Sequence, residues 1–511
     1  MGADFRQKIK TREVVAEIIG KRPRNKTVVM CHGVFDIVHP GHLRHLAYAK
    51  DKAHLLIASI TADAQITKAD YRPYVPEELR ATNLAALEIV DFVIIDHNAT
   101  PTENILFLEP DYFAKGYEYL ANGLPSKTRD EMAALETYGG EILFTPGDVV
   151  YSSSALIEEH PPKIAVDKLL ILMESEGISF ADLRRALERF RGVHVHVLGD
   201  TIVDSYCYCS LLGATAKSPT LSVRYDRKEL FAGGAAAVAK HMQATGAEVT
   251  FSTVLGDDEP KEFVVREMIH AGIHFAPVID KVRPTTYKER FFSEGYRLLQ
   301  VDRVDNRAVS EHALDTLGDS LRTSPAEVVI FSDFRHGIFN NHTVKQLKEY
   351  IPAGALRVAD SQVSNRWGNI LDFTEFDLLT PNEREARFAL GDQDSVVRPL
   401  ALKLFQAARC RALILKLGER GLIGYRTPGN MPREFFTVDS FADHIVDPIG
   451  AGDALLAYAS LAQRVTENIV VAAILGSVAA ANACERQGNM SVTPQEVAQK
   501  LDALEKSAQY R

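Results

Sequence analysis

Apolar residues along this chain come in short unbroken runs, separated by stretches where they recur every three or four positions. The run 28–31 (Val-Val-Met-Cys) is apolar throughout, as a parallel strand covered on both faces requires. Similar runs at 54–60, 91–95, 112–115 and 141–144 predict further strands. Between them, helical spacing recurs at 5–20 (Ile9, Val14, Val15, Ile18, Ile19), from 40 or 41 to about 50, and at 77–88, 103–108 and 127–138. Strands alternating with helices predict a doubly wound, Rossmann-like α/β domain over 1–160.

His160-Pro-Pro-Lys163 breaks this alternation, because adjacent prolines disfavour helix and sheet pairing alike. Helices follow at 164–176 and from a capping-box-like Ser179 to 190, so 161–190 reads as a helical linker leading into the next domain. A second alternation fills 191–511. It has strands at 193–199, 249–254, 328–331, 357–360 and 412–417, and helices at 262–271, 311–322, 454–462, 467–486 and 494–507. Short strands are predicted at 221–225 and 229–230, around a turn at 226–227.

Length and charge narrow the possibilities. At 511 residues the chain holds two or more domains. A net charge of -10 argues against a general binder of nucleic acid or of anionic membrane. No apolar run reaches membrane-spanning length, and the N-terminus lacks an apolar signal core. Cysteines 31, 207, 209, 410 and 484 form neither a disulfide framework nor a zinc spacing, which points to a reducing cytoplasm.

Two stretches carry candidate chemistry. In the first, Gly33-x-Phe35-Asp36-x-x-His39-x-Gly41-His42 follows a buried strand and opens a helix. Backbone N–H groups at such a turn favour anions, and two imidazoles at its mouth can donate to a phosphate. Zinc is the rival for a histidine pair, but no third ligand stands at a recognisable spacing. In the second, Gly450-Ala451-Gly452-Asp453 opens an Ala/Leu-rich helix. Its N–H groups can form an anion hole, and Asp453 can take a proton from an attacking hydroxyl. Asp333 and Asp360, at the ends of strands, read equally as sheet-edge caps or site residues. Cys207 and Cys209 read as small half-buried residues.

The first stretch resembles the signature of the cytidylyltransferase-like nucleotidyltransferases. The resemblance covers roughly 25–158. It implies that a sugar phosphate attacks the α-phosphorus of a nucleoside triphosphate and that pyrophosphate leaves. By that resemblance His39 and His42 donate to the α-phosphate. Lys68, Arg72, Arg80 and Lys115 hold phosphates, Ser152, Ser153 and Ser154 bind phosphate at a helix start, and Mg²⁺ accompanies the triphosphate without a direct ligand set readable in the sequence.

The second stretch resembles the ribokinase-like, PfkB-type sugar kinases over roughly 190–505, implying a three-layer α/β domain with a small β lid. By that resemblance Asp453 is the base and Gly450, Ala451 and Gly452 form the anion hole. Asp204, Gly233 and Gly234 touch the sugar. Asn382 and Glu385 organise Mg²⁺ and phosphates, and Lys416, Gly418 and Gly421 lie near the ATP. Thr286, Lys288 and Arg290 contact substrate. The family's usual Asn after the glycine pair is replaced by Ala237. Together the halves resemble the bifunctional heptose kinase–nucleotidyltransferases of ADP-heptose synthesis, with the two domains in reversed order. The resemblance implies ATP-dependent phosphorylation of a sugar, heptose phosphate by preference, at the anomeric hydroxyl, and then transfer of AMP to give a nucleotide-activated sugar. The alternative is a CTP-dependent enzyme for another sugar or polyol phosphate. Lids of the kinase family often pair, so a homodimer is compatible with the sequence, which does not decide it.

Overall fold

Val28–Gly33 (β1) sits at the middle of a five-stranded parallel sheet in the computed structural model. The structure describes residues 4–66, 73–116, 126–145, 165–214, 221–363, 368–427, 434–486, 488 and 490–509. Lys68, Arg72, Ser152, Ser153, Ser154, Trp367 and the break at 160–163 lie outside the described residues. By its contacts the chain divides into two units, Met1–Ile164 and Ala165–Arg511.

In the first unit β1 pairs with Leu55–Thr61 (β2) on one side and with Tyr112–Gly116 (β4) on the other. Phe92–Asp96 (β3) and Glu141–Thr145 (β5) complete the order β3-β2-β1-β4-β5. Val29 and Cys31 of β1 face one core and Val28 and Met30 the other, which is why the run 28–31 has no polar position. The order reverses between β1 and β4. In doubly wound sheets ligands bind beyond the strand C-termini at such a switch point. There β1 ends at Gly33, β4 ends at Lys115-Gly116, and the helix Pro40–Lys50 begins.

The expected helix over 5–20 is shorter. Phe5–Lys8 form one 3₁₀ turn, Ile9 bridges to Val93, and Arg12–Ile19 form the helix. Thr11 caps it, its side chain accepting from the Val14 N–H, so the helix starts only after the extended bridge.

The second unit has a nine-stranded sheet: His194–Gly199 (β6), Glu248–Gly256 (β9), His274–Asp280 (β10), Val328–Asp333 (β13), Leu356–Ser361 (β14), Leu378–Leu379 (β15), Ala412–Lys416 (β16), Leu422–Arg426 (β17) and Phe435–Val438 (β18). Their order is β10-β9-β6-β13-β14-β15-β16-β17-β18, parallel up to β16 and antiparallel at the last two pairings. Separate apolar cores cover its two faces. A four-stranded sheet stands apart as the lid: Thr201–Ala214 (β7), Leu221–Gly234 (β8), Tyr287–Ser293 (β11) and Tyr296–Arg303 (β12), in the order β12-β11-β7-β8.

Two expectations change here. The segment read as a linker over 161–190 belongs to the second unit from Ala165 onward. Leu169, Leu172, Met173, Phe180, Leu183 and Leu187 lie in its core, and Glu176 forms a buried ion pair with Arg426 at 2.7 Å. The turn expected at 226–227 is absent, and β8 runs through it. The register with β7 slips between Tyr208 and Cys209, and Ser210 Oγ donates to Asp226 at 2.6 Å. A bulge accommodates the charged residues without reversing the chain.

Candidate active sites

At the switch point of the first unit, the turn after β1 holds two histidines in a fixed arrangement. Pro40 stands at the first helical position, where its fixed φ is pre-set and its missing N–H costs nothing. His39 is the N-cap, and the Gly41 N–H donates to its Nδ1 at 3.1 Å. A backbone N–H can only donate, so the His39 proton resides on Nε2. His42 Nδ1 lies 3.1 Å from the Ile37 carbonyl, which can only accept, so that nitrogen carries the proton. The two rings stack with centroids 3.9 Å apart, and the Phe35 ring meets His42 edge-on at 5.0 Å. Phe35 has φ 49, and its ring fills the space beside Gly33 that a Cβ would need. Burial, then the neighbouring His39, pushes His42 down to about 4, and burial lowers His39 as well. Asp36 locks the turn from below, accepting from the Tyr74 N–H at 3.0 Å and the Val75 N–H at 2.8 Å.

Of the basic residues expected on phosphates, Arg80 is a correction. It is fully buried. Its guanidinium donates to the carbonyls of Val75, Val34 and Thr61 and to the Asp63 carboxylate at 2.6 Å. It holds together the chain leaving β1 and β2 and does not face the crevice. Lys115, the penultimate residue of β4, pairs its ammonium with the buried Glu131 and donates to Thr128 at 3.0 Å. His32, on β1, lies between Ser59, Thr61 and Asp96, and burial pushes it down to about 3.

The second unit has a cleft of about 680 Å³ between the strand C-termini and the lid, where Asp453, Asp360, Glu385, Lys416, Asp204 and Lys288 come together. Gly450, at φ 84, is the N-cap of the helix Ala451–Thr466, and no side chain caps that terminus. A residue with a Cβ would be strained at that φ. The first-turn N–H groups of Gly452 and Asp453 thus face the cleft at the positive end of the helix dipole. Asp447 fixes the turn before it, accepting from the N–H groups of Ile449 at 3.0 Å and Gly488 at 3.1 Å. Burial, then the charge of Asp360, pushes Asp453 up to about 7 against the opposing pull of Lys416.

Across the cleft, Asp204 lies on β7 beside Lys288 of β11 and pairs with Arg290. Gly233 of β8 opposes Ile202 of β7, and a Cβ there would collide with the Asp204 carboxylate. Burial lowers the pKa of Lys288, and Thr286 is buried just before β11. Asn382 caps the helix Glu383–Leu390 in a capping box: Asn382 N–H and Nδ2 donate to Glu385 at 2.6 and 2.7 Å, and Glu385 N–H donates back at 2.9 Å. Burial raises the pKa of Glu385. Gly418 and Gly421 form the turn after β16 on the cleft wall. Ala237 is buried in the helix Ala235–Ala244, which Gly234 caps.

The two strand-terminal aspartates separate. Asp360 faces the cleft, accepting from Lys416 Nζ and from Thr380 Oγ1, each at 2.9 Å. The sequence marked it only as a strand-end carboxylate. Asp333 is buried against Arg335 at 2.9 Å and accepts from Ser361 at 2.9 Å, so it ties strand ends together. Asp200, directly after β6, accepts from the N–H groups of Phe334 at 2.9 Å and His336 at 3.1 Å. Among the described residues no group of three or more His, Cys, Asp or Glu side chains is placed to hold a metal ion.

Residues 194–496 match the model of the pfkB family carbohydrate kinases, and the chain belongs to that family. Ahead of it, residues 30–159 match the cytidylyltransferase-like model. The chain is similar to the bifunctional protein HldE of Desulfatibacillum aliphaticivorans, 25% identical over 340 residues, 64% of this chain and 66% of that protein. It is also similar to that of Geobacter metallireducens, 27% identical over 314 residues, 60% of this chain and 62% of that protein. HldE of Pelobacter propionicus is 36% identical over 143 residues, 27% of this chain and 28% of that protein. The alignments over 300 residues or more span just under two thirds of the curated relatives' length. Among solved structures, phosphofructokinase-2 from Escherichia coli in its tetrameric inhibited form superposes with TM-score 0.50 at 16% identity, over 61% of this chain and 99% of that chain. Its potassium complex gives 0.51 at 16% identity, over 62% and 99%. At that identity the likeness shows the fold alone.

Proposed function

We propose that the chain makes a nucleotide-activated sugar in two steps, with heptose phosphate as the acceptor by resemblance to the enzymes of ADP-heptose synthesis. In the second unit, Asp453 takes the proton of the anomeric hydroxyl while that oxygen attacks the γ-phosphorus of ATP. The N–H groups of Gly452 and Asp453 receive the charge that develops on the transferring phosphoryl group. Asp204 orients the sugar, and Lys288 with Arg290 suits an acceptor that already bears a phosphate. In the first unit, an oxygen of the resulting sugar 1-phosphate attacks the α-phosphorus of a triphosphate and pyrophosphate leaves, with His39 Nε2–H donating to the phosphate. The observation that carries this reading is the single cleft joining Asp453, at a glycine-started helix N-terminus, to Asp204 and Lys288 of the lid.

The cleft's donor set fits a magnesium ion carried on the nucleotide. Glu385 and Asp360 line the cleft as hard oxygen donors, which suits an ion that takes its remaining ligands from phosphate and water and needs no cage of three side chains. Glu385 and Asp360 would hold it, and bound there it would neutralise phosphate charge. All five cysteines are buried free thiols, which supports a cytoplasmic enzyme. No helix of the described residues is long and apolar enough to cross a membrane.

The test is a panel of sugar phosphates offered with ATP or CTP. ADP release reports the first step and pyrophosphate release the second. The reading expects both, with Asp453→Asn abolishing the first and His39→Ala with His42→Ala the second. Sugar-dependent ADP release at the wild-type rate in Asp453→Asn would refute the kinase assignment.

A further inference from the structure

We propose that Lys416 is a catalytic residue of the second unit whose ammonium binds the phosphoryl group in transit. The inference rests on the kinase reading and deepens it. Lys416 is the last residue of β16, and its N–H donates to the Pro381 carbonyl at 2.8 Å, so its backbone is fixed at the rim of the sheet. Its side chain runs into the cleft, and Nζ lies 3.5 Å from where a Cβ on Gly452 would stand. That places the ammonium at the uncapped N-terminus of the helix Ala451–Thr466. Two independent sources of positive potential, a formal cation and the first-turn N–H groups, therefore converge on one point. Each alone has an ordinary structural explanation. Together at the floor of a cleft they define a site for a strongly charged anion.

The lysine is also held in a way that leaves it available. Asp360 takes one of its three donors at 2.9 Å, and the Asp360 carboxylate is itself anchored by the Thr380 hydroxyl at 2.9 Å. Glu385, Asp453 and Gly452 line the cleft around the ammonium. The surrounding carboxylates keep the ammonium protonated in spite of its burial, because Asp360, Glu385 and Asp453 outweigh the desolvation that pulls it down. Lys416 is thus a fixed charge, with no proton to give. In the step itself the sugar oxygen forms a bond to the γ-phosphorus and the bond from that phosphorus to the β,γ-bridging oxygen breaks. The electron pair leaves with ADP, the hydroxyl proton goes to Asp453, and Lys416 stays charged throughout. Its contribution is electrostatic, to the three equatorial oxygens of the phosphoryl group.

The test compares the full-length wild type with Lys416→Met and Lys416→Arg, measuring ADP release from ATP with a panel of aldose and ketose phosphates. Loss of one preorganised donor of this kind lowers kcat by about 10²–10³. We expect Lys416→Met to lose that much in kcat while the KM for the acceptor stays within about a factor of three, the pattern of an interaction made in the transition state. Lys416→Arg, which keeps the charge, should recover at least a tenth of the wild-type kcat. A wild-type kcat in Lys416→Met overturns the proposal. So does a loss that Lys416→Arg leaves unrecovered while both variants unfold at the wild-type temperature, since charge would then be irrelevant. If the wild type releases ADP with no acceptor on the panel, the kinase reading falls first and takes this inference with it.

Discussion

His39 and His42 stack at 3.9 Å, yet the turn gives them opposite proton arrangements. The Gly41 N–H claims Nδ1 of the first as an acceptor, and the Ile37 carbonyl claims Nδ1 of the second as a donor. A neutral His39 therefore offers N–H at Nε2, whereas a neutral His42 offers a lone pair there. The two residues of one signature thus present different groups.

Replacing His39 tests this separation of roles. Asparagine is among the best N-caps, and loss of a cap to alanine costs about 0.5–2 kcal/mol. His39→Asn should keep the stability of the first unit and lose pyrophosphate release, whereas His39→Ala should lose both. Urea titration followed in parallel with pyrophosphate release separates the outcomes.

His42 is pushed down to about 4, so it is neutral at pH 7 and gains its proton only in acid. An anion at its Nε2 favours the charged form and raises that pKa. Ring-proton NMR should show His42 titrating near 4 in the free protein and at clearly higher pH with a bound triphosphate. An unchanged titration would place the phosphates elsewhere.

Arg80 should behave as a structural residue. Its removal strands the Asp63 carboxylate in the interior, and breaking a buried pair this way costs about 3–5 kcal/mol. Arg80→Met should lower the denaturant midpoint steeply. Arg80→Lys should not restore it, because one ammonium cannot serve three carbonyls and a carboxylate from a single plane.

For the sugar step, pH is informative. As the proposed base, Asp453 must be ionised, and its carboxyl is pushed up to about 7, so the rate should climb with pH through about 7 and be lost on acidification. The charge of Asp360 is the second cause of that elevation. Asp360→Asn should therefore move the acid limb to lower pH, which a pH profile of kcat/KM would show.

Gly233 packs against the proposed acceptor carboxylate, Asp204. A Cβ there meets the Asp204 carboxylate and displaces it from Arg290. Gly233→Ala should weaken acceptor binding by about 1.5–3 kcal/mol, the worth of a charged hydrogen bond, and leave the KM for ATP unchanged. Steady-state kinetics with each substrate varied in turn would check it.

The parts of this molecule legible in the sequence are those where local chemistry and fold agree. The apolar run 28–31, the Pro40 helix start and the Gly450 turn each satisfy a strand or helix rule and a phosphate rule together. Arg80 misled because a long charged side chain in an amphipathic helix ordinarily reaches solvent, and its partners lie 5 to 46 positions away. Asp360 was ambiguous because a strand-end carboxylate looks alike whether it faces a cleft or ties strands together. Only the pairing of β14 with β13, and the reach of Lys416 from β16, distinguish it from Asp333. Asp226-Arg227 suggests a turn because both residues are charged, whereas an exposed lid strand accepts such residues on its solvent side.

In the proposed reaction the chemistry and the choice of acceptor stand on different foundations. Asp453, Gly452 and Lys416 are mounted on the main sheet and a helix buried in its core, whereas Asp204, Lys288 and Arg290 belong to the four-stranded lid. A designer wishing to redirect this enzyme toward another sugar can therefore vary the lid as an interchangeable part and leave the motor of phosphoryl transfer untouched.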